Sequence, residues 1–305
     1  NSLTILFNDK EFIMKRTLLL STLLASTLLA YDQDDYHRLL SENECPKCDL
    51  YEVDLSGKTL QGANLEGANL IGANLSKANM SGVNLAGANI SNANLAFTNF
   101  DDADMENVVL INSNLSDATL INSNLEKANF ERANLKYADL SKANLTKATL
   151  VKVNLTNVKF TKANLERSNF EYSYLLGANF DGASLDGAEM SNTYLVLTSF
   201  IDSSIKDTNF YKTDASFAIF INSNAKTTNF RDAQLYRANF YGANFGDTNF
   251  AGANIMGVNF NNTDLDEAGF AHSTKEAILN KIGEDHTFTI DAFNTFMTPK
   301  EASEN

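Results

Sequence analysis

Residues 62–75 read GANLEGANLIGANL: the four residue types Gly-Ala-Asn-Leu occur three times, with Glu66 and Ile71 as the spacers. Followed outward in both directions, the register never breaks. Every fifth residue from Leu55 to Phe270 is apolar, 44 consecutive positions that run through Met80, Phe100, Leu145 and Phe260, with Ala215 and Ala225 the smallest. Two residues before each stands a small or β-branched residue, such as Ala63, Thr98, Ser113, Val153 or Thr228, with Lys58 the one exception. A fixed period of this kind means stacked units that bury a shared face, not a globular core. A period of five fits neither a helical stripe nor a flat strand. Two inward residues in five, one small and one large, describe a chain that turns a corner every five residues.

The runs GANLE, GANLI, SKANL and ERANL resemble the pentapeptide-repeat family, A-(D/N)-L-x-x, over residues 55–270 without an insertion. The resemblance implies an all-β solenoid, a right-handed quadrilateral β-helix with four pentapeptides to a coil. That gives about 11 coils and, at ~4.8 Å per coil, a rod roughly 53 Å long. A 20-residue coil also requires large residues to sort by wall. From Phe160 to Phe270 every tenth residue is Phe except Met190, and the positions between are Leu, Ile or Ala apart from Phe245. Two opposite walls therefore supply rings and two supply aliphatics, because four rings at one level would overfill the interior. Ala215 and Ala225 fall on opposite walls of one level, where they either make room for Phe210, Phe220 and Phe230 or leave a small void.

The flanks divide into three further segments. Residues 1–30 comprise an upstream extension and a signal-like unit (14–30): Met14, Lys15 and Arg16, a 12-residue apolar run from Leu18 to Leu29, then Ala30. This has the shape of a secretory signal peptide cleaved near Ala30, and the run is too short to span a bilayer comfortably. The expected address is periplasmic or secreted, with no transmembrane segment in the mature chain. Residues 31–49 form an N-terminal cap. Residues 271–305 form a C-terminal cap, partly helical, in which Ser273-Thr274-Lys275-Glu276 fits a capping box. In some family members the C-terminal cap mediates dimerisation.

The cap at 31–49 holds the only two cysteines, in Cys45-Pro46-Lys47-Cys48. A redox pair would sit at a helix start beside a βαβ pattern, which is absent. Zinc would require two more ligands, and only His37 is near. In an exported chain the reading is a local disulfide, Cys45 to Cys48, that pins the cap. Similar Cys-x-x-Cys leaders introduce other members of the family.

The repeat region contains no His, Cys or Pro. Missing Pro suits a backbone whose amides all serve a ladder. Missing His and Cys removes the usual general base, nucleophile and soft metal ligand, so the expectation is no catalytic, metal or cofactor site. Gly62, Gly67 and Gly72 belong to the repeat and form no phosphate loop. Glu66, Asp101, Asp117, Asp181 and Asp247 fall at outward positions and read as solvated charge. Asn residues at 64, 69, 74, 79, 84, 89, 94 and 99 align in columns where amides can bond above and below. The formal net charge of −14 disfavours non-specific nucleic-acid or membrane binding. Residues 126–167 reverse it locally, with nine basic residues against four acidic. Lys127, Lys147 and Arg167 make one column; Lys142 with Lys162 and Arg132 with Lys152 make two more.

Two functions follow. The first is an exported, non-catalytic scaffold that presents a rigid surface to a protein partner or a second copy of itself. The alternative, implied by the resemblance, is a cytoplasmic mimic of B-form DNA that binds a DNA topoisomerase. It requires a continuous acidic surface, which the basic belt interrupts. The candidate contact strip flanks the inward column from Leu175 to Ile255. It comprises Tyr174, Leu176, Tyr194, Val196, Leu197, Phe217, Tyr236 and Met256, with Tyr174 and Tyr194 placed one above the other to stack.

Overall fold

The structure is a computed structural model, which describes residues 30–263, 265, 268 and 269. The signal-like unit, apart from Ala30, and the cap expected at 271–305 lie outside the described residues. Within them, each residue just ahead of a large inward position forms a one-residue parallel bridge with the residue 20 further on. The series runs from Glu44↔Asn64 to Asn249↔Gly269. A period of 20 made of fives gives a four-walled β-helix with a bridge in the middle of each wall.

The backbone shows why five residues suffice for a wall and a corner. Leu65 N–H donates to Asn84 O at 2.7 Å, and Asn84 N–H donates back to Ala63 O at 2.9 Å. At the corner Ala68 N–H donates to Leu65 O (3.0 Å), closing a four-residue turn, while Gly67 N–H reaches Ala86 O in the next coil (2.9 Å). Three of the five amides in such a repeat are thereby committed to the ladder and a fourth closes the turn, so proline at those positions would break it. The third residue of each such turn takes a positive φ, 64° at Gly67, as in a type II turn. Many corners place a bulkier residue there, including Phe97 (61°), Leu197 (60°), Phe217 (60°) and Thr227 (57°). An L-residue in this region costs roughly 1–2 kcal/mol. Its amide still serves the ladder, as in Phe217 N–H to Tyr236 O at 2.8 Å.

The interior is apolar and sorted by wall. Phe160, Phe180, Phe200, Phe220 and Phe240 stack nearly parallel in one column, with centroids 5.0, 4.9, 4.8 and 4.5 Å apart. Phe210, Phe230 and Phe250 stack on the opposite wall at 4.8 and 5.2 Å. Across the lumen the two columns meet edge to face, as for Phe200 and Phe210 at 5.8 Å and 89°. Both geometries are the ones a ring quadrupole favours. At the level of Ala215 and Ala225, both fully buried, the rings Phe220 and Phe230 close to 5.6 Å. Phe245, 20 residues after Ala225, leans onto Phe240 and Phe250 at 5.2 Å each. The spacing at the alanine level matches the 5.5 Å between Phe230 and Phe240, where Leu235 intervenes, so the ring columns keep their approach whether the aliphatic position is Ala or Leu.

Hydroxyls at the small inward positions donate to a backbone carbonyl, either in their own corner, as Ser203 Oγ does to Phe200 O (2.8 Å), or one coil away. Thr98 Oγ1 donates to Leu75 O (2.7 Å), Thr198 Oγ1 to Leu175 O (2.8 Å) and Thr228 Oγ1 to Ile205 O (2.6 Å). Ser223 Oγ is the exception, buried without a partner beside the equally unpartnered Asn224 Oδ1. The Asn columns bond vertically, as in Asn134 Nδ2 to Asn114 Oδ1 at 2.9 Å. The same side chains also bond locally: Asn84 Oδ1 accepts from Ala86 N–H at 3.0 Å. That second bond holds the corner and explains a preference for Asn or Asp over other polar residues.

A short helix, α1 (Gln33–Glu42), covers the N-terminal end. Asp32 caps it by accepting from the amides of Asp34 and Asp35, and it ends at Asn43 with φ 59°. Its one fully buried side chain is Leu39. Asp32 N–H donates to Asp49 O (3.0 Å), and Asp35 Oδ2 accepts from Asp49 N–H (2.8 Å), so the helix closes the exposed edge of the first coil. The sulfurs of Cys45 and Cys48 are 1.97 Å apart in a buried disulfide at the joint between helix and rod. Arg38 Nη2 lies 2.7 Å from Cys48 Sγ and 3.0 Å from Asp35 Oδ1. Among the described residues no helix is long and apolar enough to cross a membrane.

Candidate interaction surface

One wall differs from the other three. Its middle column runs from Asp54 to Asn254 in steps of 20, and Asn gives way to Tyr at 174 and 194. Among the described residues nine large apolar side chains are exposed. Seven of them, Phe97, Tyr137, Tyr172, Tyr174, Leu176, Tyr194 and Met256, stand on this tyrosine wall or its two corners. Leu40 in α1 and Tyr241 on another corner are the other two.

The sequence placed eight residues on this wall, and all eight are there. Tyr174, Leu176, Tyr194 and Met256 are exposed, whereas Val196, Leu197, Phe217 and Tyr236 are half-buried. Tyr174 and Tyr194 form a bridge pair, yet their rings are 6.5 Å apart and tilted by 52°, so they stand side by side without stacking. Phe217 instead meets Tyr236 edge to face at 5.4 Å, and the Arg237 guanidinium lies 5.2 Å over the Tyr236 ring. Phe97, Tyr137 and Tyr172 were not anticipated. Each is the third residue of a corner turn, with φ 61°, 63° and 61°. Their spacing in steps of 20 from Leu197 (97, 137) or from Arg132 (172) was the available signal.

The relief of the wall follows from side-chain length. Below the tall Tyr174 and Tyr194 lie the short Asn154, Asn134 and Thr156. With Arg132, Lys152 and Leu176 at the rims they enclose a shallow depression of about 560 Å³. Arg132 pairs only with its neighbour Glu131 at 3.5 Å, and Lys152 has no ion-pair partner among the described residues.

Elsewhere in the belt Lys127 and Lys159 form ion pairs and Lys136 lies 4.8 Å over the Tyr137 ring, whereas Lys142, Lys147, Lys162 and Arg167 have no ion-pair partner among the described residues. Lys127 Nζ lies 2.9 Å from Glu126 and 3.3 Å from Glu106. The hydrogen bond to Lys127, then its charge, holds the Glu126 carboxyl below the usual range. Of the five acidic residues read as solvated charge, Glu66, Asp117 and Asp247 are exposed. Asp101 and Asp181 do more: they accept from the amides of Ile121 (2.9 Å) and Ile201 (3.1 Å) and so tie successive coils together. Asp35, Cys45 and Cys48 place ligand atoms within 4.8 Å of one another. With the sulfurs joined to each other and the Arg38 cation against Cys48, that cluster serves as a staple and does not fit a metal ion.

A family model described as "Pentapeptide repeats" matches residues 48–87, 88–126, 113–150, 123–161 and 163–200, and one described as "Pentapeptide repeat region" matches 197–270. Among solved structures, HetL, a pentapeptide repeat protein involved in heterocyst differentiation regulation from Nostoc sp. strain PCC 7120, is 24% identical, with 76% of this chain and 93% of that one covered and a TM-score of 0.40. Rfr23 from Cyanothece 51142 is 27% identical over 50% of this chain and 98% of that one, with a TM-score of 0.30. QnrB1, a plasmid-mediated fluoroquinolone resistance protein, is 14% identical over 77% and 97%, with a TM-score of 0.33. No curated protein matches the chain.

Proposed function

Because the chain belongs to the pentapeptide-repeat family, we propose that it is a non-catalytic scaffold whose tyrosine wall docks a protein partner. The reading takes the rod as a right-handed β-helix of about 11 coils, exported to the periplasm or beyond after cleavage near Ala30. One observation carries it: among the described residues, seven of the nine exposed large apolar side chains share one wall and its corners. Contiguous apolar surface on a monomer marks interaction sites, and Tyr is a residue enriched at their centres. The lack of His and Cys between residues 55 and 270 supports a role without chemistry. The reversal of charge across 126–167 speaks against a continuous DNA-like surface.

The experiment is site-specific photo-crosslinking in the native host. A photoreactive side chain at position 174 captures a discrete protein species, whereas one at position 241, exposed on a different corner, does not. Equal capture at both positions, or none at 174, overturns the docking reading. Export is checked by the mature N-terminus: a chain starting near Tyr31 in the periplasmic fraction supports it. Recovery of uncleaved chain from the cytoplasm refutes export and returns the topoisomerase-binding alternative.

A further inference from the structure

We infer that the tyrosine wall is built for a second copy of the same rod. The second copy lies antiparallel, with a two-fold axis between the Asn154 and Tyr174 rungs. This rests on the reading of that wall as a docking surface and adds the occupant, its direction and its register.

Shape gives the first argument. Tyr174 and Tyr194 rise above the wall, and the depression over Asn154 and Asn134 lies immediately beside them. Rungs repeat every 20 residues, so a two-fold axis at this point sets Tyr174 opposite Asn154 and Tyr194 opposite Asn134. Each copy then inserts its tall pair into the hollow of the other. A parallel pair would set Tyr174 against Tyr174 and hollow against hollow, leaving both gap and clash.

Charge fixes the register independently. On the corner column that holds Arg132, Lys152, Tyr172 and Lys212, the proposed axis faces Lys152 with Tyr172, Arg132 with Asn192 and Lys212 with Asn112. Cation meets ring or amide at each. Moving the axis onto the Tyr174 rung would face Arg132 with Lys212. Moving it onto the Asn154 rung would face Lys152 with its own copy. Like charges in direct opposition across an interface are costly, so both neighbouring registers are disfavoured.

The same axis accounts for the two exposed rings in the N-terminal half. Phe97, 58% exposed, comes opposite Arg237, which already covers Tyr236. Tyr137, 50% exposed, comes opposite Leu197. Asp214 meets Asn114, and Asp117 meets Phe217, so no pair of like charges arises along the wall.

Area sets the strength. About this axis the middle column overlaps from Asn74 to Asn254, nine steps of 20 residues, about 43 Å at ~4.8 Å each, and a wall of three extended residues is about 10 Å wide. The two copies together bury about 860 Å², the size of a weak, transient contact, so association is reversible and concentration-dependent.

The test uses two variants of the full chain, Asn114→Cys and Asp214→Cys, each of which adds one free thiol to the Cys45–Cys48 disulfide and replaces no tyrosine. Mixed and mildly oxidised, they form the 114–214 disulfide between copies, while each variant alone stays unlinked because its own two cysteines lie about 24 Å apart, five rungs at ~4.8 Å. Adding Tyr174→Asn and Tyr194→Asn, residues the fold already accepts at 134 and 154, lowers the linked yield at least tenfold. Linking of each variant to itself would mean a parallel pair and overturn the proposal. So would a sedimentation profile of pure monomer at 100 μM protein. If that monomer still delivers a different protein to the crosslinker at 174, the docking surface stands and only the second copy is refuted.

Discussion

Truncating Phe200 to Ala removes a fully buried ring that lies flat between Phe180 (4.9 Å) and Phe220 (4.8 Å) and edge-on to Phe210 (5.8 Å). Its neighbours are held in column by their own ladders and cannot slide into the gap, so the cavity persists. A core Phe→Ala change costs about 3–5 kcal/mol, and three lost ring contacts place Phe200 in the upper half of that range. The control is Asp202, two residues on at an exposed corner, whose carboxylate accepts only from Asn222 Nδ2 at 3.1 Å. Its φ of 55° decides which control to use. Ala there would add about 1 kcal/mol of left-handed strain, whereas Asn tolerates that region, so Asp202→Asn should change stability by less than ~0.5 kcal/mol. Urea unfolding followed by far-ultraviolet circular dichroism, at one protein concentration, gives both midpoints on a common slope. If Phe200→Ala shifts the midpoint no further than Asp202→Asn, the assignment of every fifth residue to the interior is wrong.

Two other outcomes follow from individual side chains. Ser223→Ala should raise stability by about 1 kcal/mol, since it removes a buried hydroxyl that has no partner; a lower urea midpoint would show that Ser223 Oγ is satisfied in solution. Asp139 gives a pH signature. Burial pushes its carboxyl up, but hydrogen bonds from Ser141 Oγ (2.5 Å) and N–H (3.0 Å) and from Lys159 Nζ (3.3 Å) outweigh this and hold it below the usual range. A lowered folded pKa contributes stability above the ordinary carboxylate value, about 3.9, and loses it as pH falls through the folded value. Between pH 6 and 2 the parent should therefore lose more stability than Asp139→Asn; parallel pH profiles would count against the Ser141 and Lys159 bonds.

The inward register was legible because packing acts on every repeat in the same way. A residue at a multiple of five must be large and apolar or the column breaks, so Phe200 and Leu175 could be assigned without coordinates. The sorting of rings onto two walls was legible for the same reason. Helix α1 was not read. Ten residues with Tyr36, Leu39 and Leu40 as their only apolar members give a faint stripe, although Asp32 followed by Asp34 and Asp35 is a fair start signal. The corners were harder still. Most third corner residues are Gly, Asn, Asp or a cation, which hides the fact that Phe97, Tyr137 and Phe217 occupy the same strained geometry. The tilt between Tyr174 and Tyr194 depends on rotamers, on which the period is silent.

The 20-residue bridge also limits how such a chain can change in length. Adding or deleting 20 residues would insert or remove one full coil and leave every column aligned above and below. Adding a single pentapeptide at, say, residue 165 would also keep the local pattern of inward and outward residues. It would, however, turn everything beyond it by a quarter of a revolution. Phe200 and Phe220 would then lie in the column of Leu145 and Leu125, and Tyr174 and Tyr194 would leave the wall that carries Arg132 and Lys152. Length variation in relatives that keep this wall should therefore come in quanta of 20, with single pentapeptides tolerated only beyond its ends.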